Sequence, residues 1–168
     1  MLKTSKLARN PAIQITTRFE EGLRLTGGDL TQIRSVLEAV LANAVEAMPN
    51  GGEVVIATHG QKLDEGPKGP DGPLAPGRYA VITVADQGTG MDEETRQRIF
   101  EPFFSTKFVG RGLGMAAADG IVRNHDGLIE VKTALNQGTQ VMIYLPGADP
   151  AAAGPDPGVS DPSAGQKS

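Results

Sequence analysis

The sequence predicts a two-layer α/β sandwich in which a mixed β-sheet carries its helices on one face. Five segments show the apolar alternation or short apolar runs typical of strands, and three show a helical period. The predicted strands are residues 11–19, 53–58, 79–85, 128–133 and 139–145, and the predicted helices are 29–48, 92–100 and 113–124. This mixture of strands and amphipathic helices favours one sheet and one helical layer around a single core.

Length and composition limit the functional classes. The 168 residues suit one domain. The formal net charge of −4 at pH 7 argues against a nucleic-acid binder, which needs a basic surface. The chain has no cysteine, which excludes disulfides and thiolate metal sites. Since no apolar run reaches membrane-spanning length and no signal peptide opens the chain, we expect no direct membrane contact from this domain.

The prolines divide the chain. Nine of the twelve lie in residues 60–77 or from Pro146 onwards. Because proline disrupts helices and central strands, residues 60–77 are predicted to be a long loop between two strands. The predicted organisation is an N-terminal linker remnant (1–10), a folded domain (11–146) and a disordered Pro/Ala/Gly-rich tail or linker (147–168).

The first predicted helix has a clear apolar stripe. It begins at Asp29, which can cap the free amides, with Gln32 three residues on as in a capping box. Residues 49–52, Pro-Asn-Gly-Gly, end it. Its apolar stripe, with a period of 3.6 residues, comprises Leu30, Ile33, Leu37, Leu41, Ala44 and Met48. A neighbouring stripe, beside the core face, holds Ala39, Asn43 and Glu46.

The later elements complete the sheet. The strand at 79–85 is predicted to deliver Asp86 at its carboxyl end. The second helix opens on an acidic turn, which suits the positive end of the helix dipole. The third helix is predicted to be closed by Gly127, and the last two strands alternate apolar and polar residues.

Five motifs follow one another along the chain. They are the helical run 41–48 around Asn43, Asp86-Gln-Gly-Thr-Gly-Met91, Arg98-Ile-Phe-Glu-Pro-Phe-Phe-Ser-Thr-Lys107, Gly110-Arg-Gly-Leu-Gly-Met115 and Gly138-Thr139. In this order they resemble the catalytic ATP-binding domain of bacterial sensor histidine kinases. The resemblance covers about residues 10–146. It implies the Bergerat ATP-binding fold, which is shared with gyrase-type ATPases and related chaperones.

The glycine segment Gly110-x-Gly112-x-Gly114 resembles other nucleotide loops only superficially. Met115 stands where the dinucleotide fingerprint needs its third glycine, and no Gly-Lys-Ser/Thr follows as in a Walker loop. The remaining interpretation is a flexible segment that begins a helix and whose free amides face phosphate. The phenylalanines just before it, at 100, 103 and 104, are expected to pack as part of this lid.

The resemblance implies a role for each motif. Asp86 accepts a hydrogen bond from the amino group of adenine, and the backbone of Gly90 serves the neighbouring ring nitrogen. Gly88 and Gly90 let the backbone approach the ring with no Cβ in the way. Thr139 helps to fix the carboxylate and a bridging water. Because a lone Asp-x-Gly-x-Gly is more often a plain turn, the surrounding motifs carry this assignment.

The implied ligand is ATP with Mg²⁺. Asn43 supplies a neutral oxygen to Mg²⁺, which prefers oxygen donors, water and phosphates. Lys107 and Arg111 act as catalytic lid cations at the β- and γ-phosphates; the alternative is two exposed loop cations. Glu46 could orient a metal-bound water or be a surface charge. The implied nucleotide-binding set is Asn43, Glu46, Asp86, Gly88, Gly90, Met91, Lys107, Gly110, Gly112, Leu113, Gly114 and Thr139.

Ala39 departs from the pattern of the gyrase-like ATPases. They carry a glutamate base at this position, four residues before the helix asparagine, and Glu38 points about 100° away around the helix. The missing base favours phosphoryl transfer over hydrolysis. Neither His59 nor His125 lies in a phosphoacceptor pattern, so both are expected to be structural or surface residues.

The resemblance therefore implies a partner that this chain lacks. That partner is a helical dimerisation and phosphoacceptor domain and, through it, the receiver domain of a response regulator. The isolated domain is expected to be monomeric and cytoplasmic. Two alternatives remain open: a serine-kinase anti-sigma factor of the same fold, and a nucleotide-binding regulatory module without kinase activity.

Overall fold

The computed structural model describes residues 10–104 and 113–148. All predicted strands and helices are present. The elements are β1 (Ile13–Phe19), α1 (Leu30–Glu46), β2 (Gly52–Leu63), β3 (Lys68–Gly69), β4 (Gly72–Pro73), β5 (Gly77–Asp86), α2 (Glu93–Arg98), α3 (Leu113–Asn124), β6 (Leu128–Thr133) and β7 (Thr139–Pro146). Within the described ranges, no helix is both long and apolar enough to cross a membrane.

The main sheet has five strands in the order β1-β2-β5-β7-β6. Strand β1 runs parallel to β2, and the other neighbours are antiparallel, so the sheet is mixed, as predicted. Helices α1 and α3 pack against each other and on one face of this sheet. The carboxyl end of β5 and the start of β7 meet beside α1, and this corner holds the candidate site.

Helix α1 buries a slightly different stripe from the predicted one. Val36 and Val40 are almost fully buried, together with most of the predicted positions. Leu30, however, is 79% exposed, because it is the first residue of the helix and lies beyond the edge of the core. The predicted cap is confirmed, since the Asp29 carboxylate accepts hydrogen bonds from the amides of Thr31 and Gln32.

The prediction of a long loop over residues 60–77 is wrong at both ends. Strand β2 continues to Leu63, whose register partner is Gly77 at the start of β5. The prolines begin only at Pro67, so nothing prevents this extension of the antiparallel pair. Between the two strands, the short hairpin β3–β4 brings Leu74 against a second apolar cluster on the face of the sheet that the helices leave open. The cluster itself comprises Leu63, Tyr79, Val81, Leu128, Met142 and Tyr144.

Asp126 and Gly127 end helix α3, and each does so in a different way. Asp126 adopts the left-handed conformation, with φ of 56°, and the Gly127 amide donates to the carbonyl of Val122. Gly127 does close the helix, as predicted, but not through a positive φ. A Cβ there would lie 2.2 Å from the Tyr144 carbonyl oxygen, so the close approach of β7 requires the glycine.

His125 ties the end of α3 to the start of α1. One ring nitrogen accepts from the amide of Asp29 at 3.1 Å, and the other lies 2.8 Å from the carbonyl oxygen of Ile121. These contacts agree with a structural role.

Backbone hydrogen bonds continue past Pro146, since the amide of Gly147 donates to the carbonyl of Arg78 in β5 and the amide of Ala148 to that of Arg24, after β1. The rest of the predicted tail and residues 1–9 lie outside the described residues.

Candidate functional site

A pocket opens between α1, the end of β5 and the start of β7. The space free of protein atoms, including the open solvent at its mouth, measures about 960 Å³. Most of its walls are apolar, with a few polar groups between them. The lining residues are Val40, Asn43, Ala44, Glu46, Ala47, Val84, Asp86, Thr89, Gly90, Met91, Thr95, Ile99, Phe104, Met115, Thr139 and Val141.

Asp86, the last residue of β5, places a half-buried carboxylate in this pocket. Burial raises the pKa of its carboxyl, and hydrogen bonds from the backbone amides of Gly88 and Thr139 offset part of this rise. The Gly88 amide lies 2.8 Å from one carboxylate oxygen. A half-buried carboxylate with remaining acceptor capacity can receive a hydrogen bond from a donor inside the pocket.

The loop from Asp86 to Met91 is packed tightly on both sides. A Cβ on Gly88 would lie 2.6 Å from the Cβ of Ala47 at the end of α1. A Cβ on Gly90, whose φ is +63°, would lie 1.9 Å from the carbonyl oxygen of Ala134. Both glycines are therefore needed for contact with the protein itself. Their predicted role of letting the backbone approach the ring stays a prediction.

Thr139 lies beside Asp86 and contacts its carboxylate. Its backbone amide supports the Asp86 carboxylate, while its hydroxyl lies 2.9 Å from the hydroxyl of Thr133. Thr133 also accepts from the amide of Met91 at 2.9 Å. The sequence motifs did not include Thr133. The one sequence feature that could have pointed to it is its place at the end of β6, which pairs with β7.

Two polar residues of α1 face the same pocket. Asn43 is exposed, and Glu46, one turn on, is half-buried. The described residues contain no group of three His, Cys, Asp or Glu side chains that could enclose a metal ion. An amide oxygen and a carboxylate instead fit a cation such as Mg²⁺, which keeps several waters and relies on substrate phosphates for other ligands.

Ala39 occupies the position at which the gyrase-like ATPases carry a glutamate base. Ala39 packs against the core, and its Cβ lies 3.7 Å from where a Cβ on Gly114 would stand. Glu38 is exposed, pairs with Arg34 at 3.2 Å and does not line the pocket. This arrangement agrees with the expectation that the described part of α1 offers no base at this position.

The predicted lid is only partly visible. Lys107, Gly110, Arg111 and Gly112 lie outside the described residues, so their assignments stay predictions. Leu113 and Gly114 are the first two residues of α3, and Met115 after them lines the pocket.

The three phenylalanines before the lid do not pack together. Phe100 packs against the core. Phe104 lines the pocket, and the guanidinium of Arg98 lies 4.4 Å from its ring centre. Phe103 is 83% exposed, with a φ of 65°. Their predicted packing as part of the lid involves residues 105–112, which lie outside the described residues, and stays a prediction.

Known proteins are similar to this chain in sequence and in architecture. Sporulation kinase C of Bacillus subtilis (strain 168) is 31% identical over 146 residues, which make up 87% of this chain and 30% of that protein. The chain thus spans less than a third of that relative. Mycobacterial sensor histidine kinase MprB has a structure with a TM-score of 0.65 and 28% identity, covering 83% of this chain and 85% of that chain.

A second solved structure is full-length ShkA in complex with AMPPNP, with a TM-score of 0.63 and 27% identity. It covers 82% of this chain and 26% of that chain. The family described as histidine kinase-, DNA gyrase B- and HSP90-like ATPase matches residues 28–149, which include the whole pocket. The chain belongs to this ATPase family, as a catalytic ATP-binding domain of the sensor histidine kinase type.

Proposed function

We propose that this chain binds Mg-ATP and transfers the γ-phosphoryl group to a histidine on a separate helical dimerisation domain. The observation that carries the proposal is the Asp86 carboxylate, half-buried at the end of β5 and facing a pocket with mostly apolar walls. The names of the kinases to which the chain is similar, and the AMPPNP bound to full-length ShkA, support it.

The pocket suits adenine for a chemical reason. Adenine presents an amino donor beside a ring-nitrogen acceptor. When the Asp86 carboxylate is ionised, it accepts hydrogen bonds and has no proton to donate. Guanine would present a carbonyl oxygen at that position, and two acceptors facing each other repel. Val40, Val84 and Val141 offer apolar surface to the faces of the purine.

Asn43 and Glu46 are the residues we assign to the metal side of the pocket. Bound Mg²⁺ would neutralise charge on the phosphates. The Asn43 amide oxygen would be a direct ligand, and the Glu46 carboxylate would orient a coordinated water. Lys107 and Arg111, outside the described residues, complete this proposal as cations for the β- and γ-phosphates.

Transfer is favoured over hydrolysis because α1 presents Ala39 where a base would have to stand. Phosphoryl transfer depends mainly on positioning and charge stabilisation, with little covalent help from the protein. A domain that holds ATP without activating water suits a second domain that supplies the nucleophile. We propose that this partner passes its phosphoryl group to a response regulator receiver domain, and that the site works in the cytoplasm, where ATP is available.

The test is transfer to a supplied acceptor. The chain is mixed with the helical acceptor domain of a related kinase, γ-labelled ATP and Mg²⁺, and the product is challenged with acid and alkali. We expect label on the acceptor that is labile in acid and stable in alkali, as phosphohistidine is. Alkali-labile, acid-stable label would indicate a serine kinase, and nucleotide binding without label on any supplied acceptor would indicate a regulatory module.

A further inference from the structure

We propose that Thr133 is a positioning residue for adenine recognition. Its hydroxyl joins the loop from Asp86 to Met91, which we call the adenine loop, to the turn between β6 and β7, residues 134–138. This inference rests on the proposed function, because it names the residue that sets the shape of the same site. Thr133 itself does not line the pocket.

The hydroxyl of Thr133 meets three groups at once. The Met91 amide donates to it at 2.9 Å, the carbonyl oxygen of Gly138 lies 3.0 Å away, and the hydroxyl of Thr139 lies 2.9 Å away. A hydroxyl has one proton and two lone pairs. All three contacts are satisfied together when Thr133 donates to Gly138 and accepts from Met91 and Thr139.

This assignment determines what Thr139 offers to the pocket. Its proton points to Thr133, so its oxygen presents lone pairs to a ligand. Thr139 then accepts from a water or from the adenine amino group, beside the Asp86 carboxylate. A valine at position 133 would free the Thr139 proton and leave the Met91 amide without its partner.

Further contacts join the turn to the adenine loop. The Asn136 amide donates to the Thr89 carbonyl at 2.7 Å. A Cβ on Gly138 would lie 2.0 Å from the Asp86 carbonyl oxygen. These are backbone contacts, and Asn136 makes its own with a φ of 59°, a left-handed conformation that asparagine adopts more readily than most residues. The Thr133 hydroxyl holds the Met91 end of the loop, so we expect its removal to affect that end most, while the backbone contacts of Asn136 and Gly138 persist.

The experiment compares Thr133→Val, which has nearly the same shape, with Thr133→Ser, which keeps the hydroxyl. Binding of ADP and GDP with Mg²⁺ is measured by calorimetry below the melting temperature of each variant. We expect Thr133→Val to bind ADP about tenfold more weakly, as the loss of one or two such hydrogen bonds implies, and to lose part of its preference for ADP over GDP. Thr133→Ser should retain most of both.

Thr83→Val is the matched control, since Thr83 lies on β5, which β7 separates from β6, and takes no part in these hydrogen bonds. It should leave ADP affinity and base preference unchanged. Amide hydrogen exchange at Met91 gives a second readout, which should become faster in Thr133→Val alone. An unchanged ADP-to-GDP ratio in a folded Thr133→Val protein would overturn the role of Thr133. A wild-type chain that fails to bind ADP would instead overturn the proposed function.

Discussion

Asp86 and Thr139 are register partners across the antiparallel pair β5–β7. Their side chains therefore share one face of the sheet, and both line the pocket. Gly138 allows this pairing at the start of β7, because a larger residue there would meet the Asp86 backbone. The sheet thus brings together two motifs that lie 53 residues apart in the sequence.

The Asp86 carboxylate should lower the stability of the free protein at neutral pH. Burial raises its pKa above the usual value for aspartate. A carboxyl group whose pKa is higher in the folded than in the unfolded state stabilises the fold at pH values below its unfolded-state pKa. This stabilisation is lost as the pH rises through its folded-state pKa. Asp86→Asn should therefore raise the melting temperature at pH 7, with a smaller gain at pH 4. Equal melting temperatures of the two proteins at pH 7 would contradict this account of Asp86.

Nucleotide binding should respond to pH in the opposite direction. Protonation removes the acceptor that adenine needs, so ADP affinity should fall on acidification. Because the pKa of Asp86 is raised, the fall should begin at a higher pH than for an ordinary aspartate. Calorimetry of wild type between pH 8 and pH 4.5 measures it, and Asp86→Asn should show weak binding with little of this pH dependence.

Asn43 should contribute to the metal-dependent part of binding. Asn43→Ala should weaken ATP binding with Mg²⁺ by about tenfold, as for loss of a strong polar contact, while ADP without metal is much less affected. Gln32→Ala, on an exposed part of the same helix, is the control and should change neither. If the advantage that Mg²⁺ gives to ATP binding survives in Asn43→Ala, Asn43 is not the ligand.

Two glycines near the end of α3 should respond oppositely to alanine. Gly120 lies inside the helix with nothing within 4 Å of an added Cβ, so Gly120→Ala should stabilise by about 0.5–1 kcal/mol through helix propensity. Gly127→Ala should destabilise the domain, because the new Cβ would meet the Tyr144 carbonyl oxygen at 2.2 Å. Urea denaturation measures both. A stable Gly127→Ala protein would mean that β7 does not approach the helix end this closely.

Local patterns predicted the elements well, because apolar period and alternation report which side chains are buried. Asp29, Asp86 and the strands of the sheet are all readable in this way. Thr133 was not readable, since its bond to Met91 joins residues 42 positions apart and threonine is common in strands. The extension of β2 to Leu63 was also missed, because the pairing with β5 outweighs the weak strand propensity of Gly60-Gln-Lys.

The ratio of ADP to GDP affinity in wild type and Asp86→Asn tests the central claim most directly. An ionised carboxylate at the end of β5 should give wild type a clear preference for ADP. In Asp86→Asn the new amide can donate to the guanine carbonyl, while its oxygen keeps the Gly88 amide. The preference for ADP should therefore shrink or reverse, with a loss of ADP affinity corresponding to about 1.5–3 kcal/mol. Equal ADP-to-GDP ratios in the two proteins would show that Asp86 does not read the base, and the adenine-site assignment would fail.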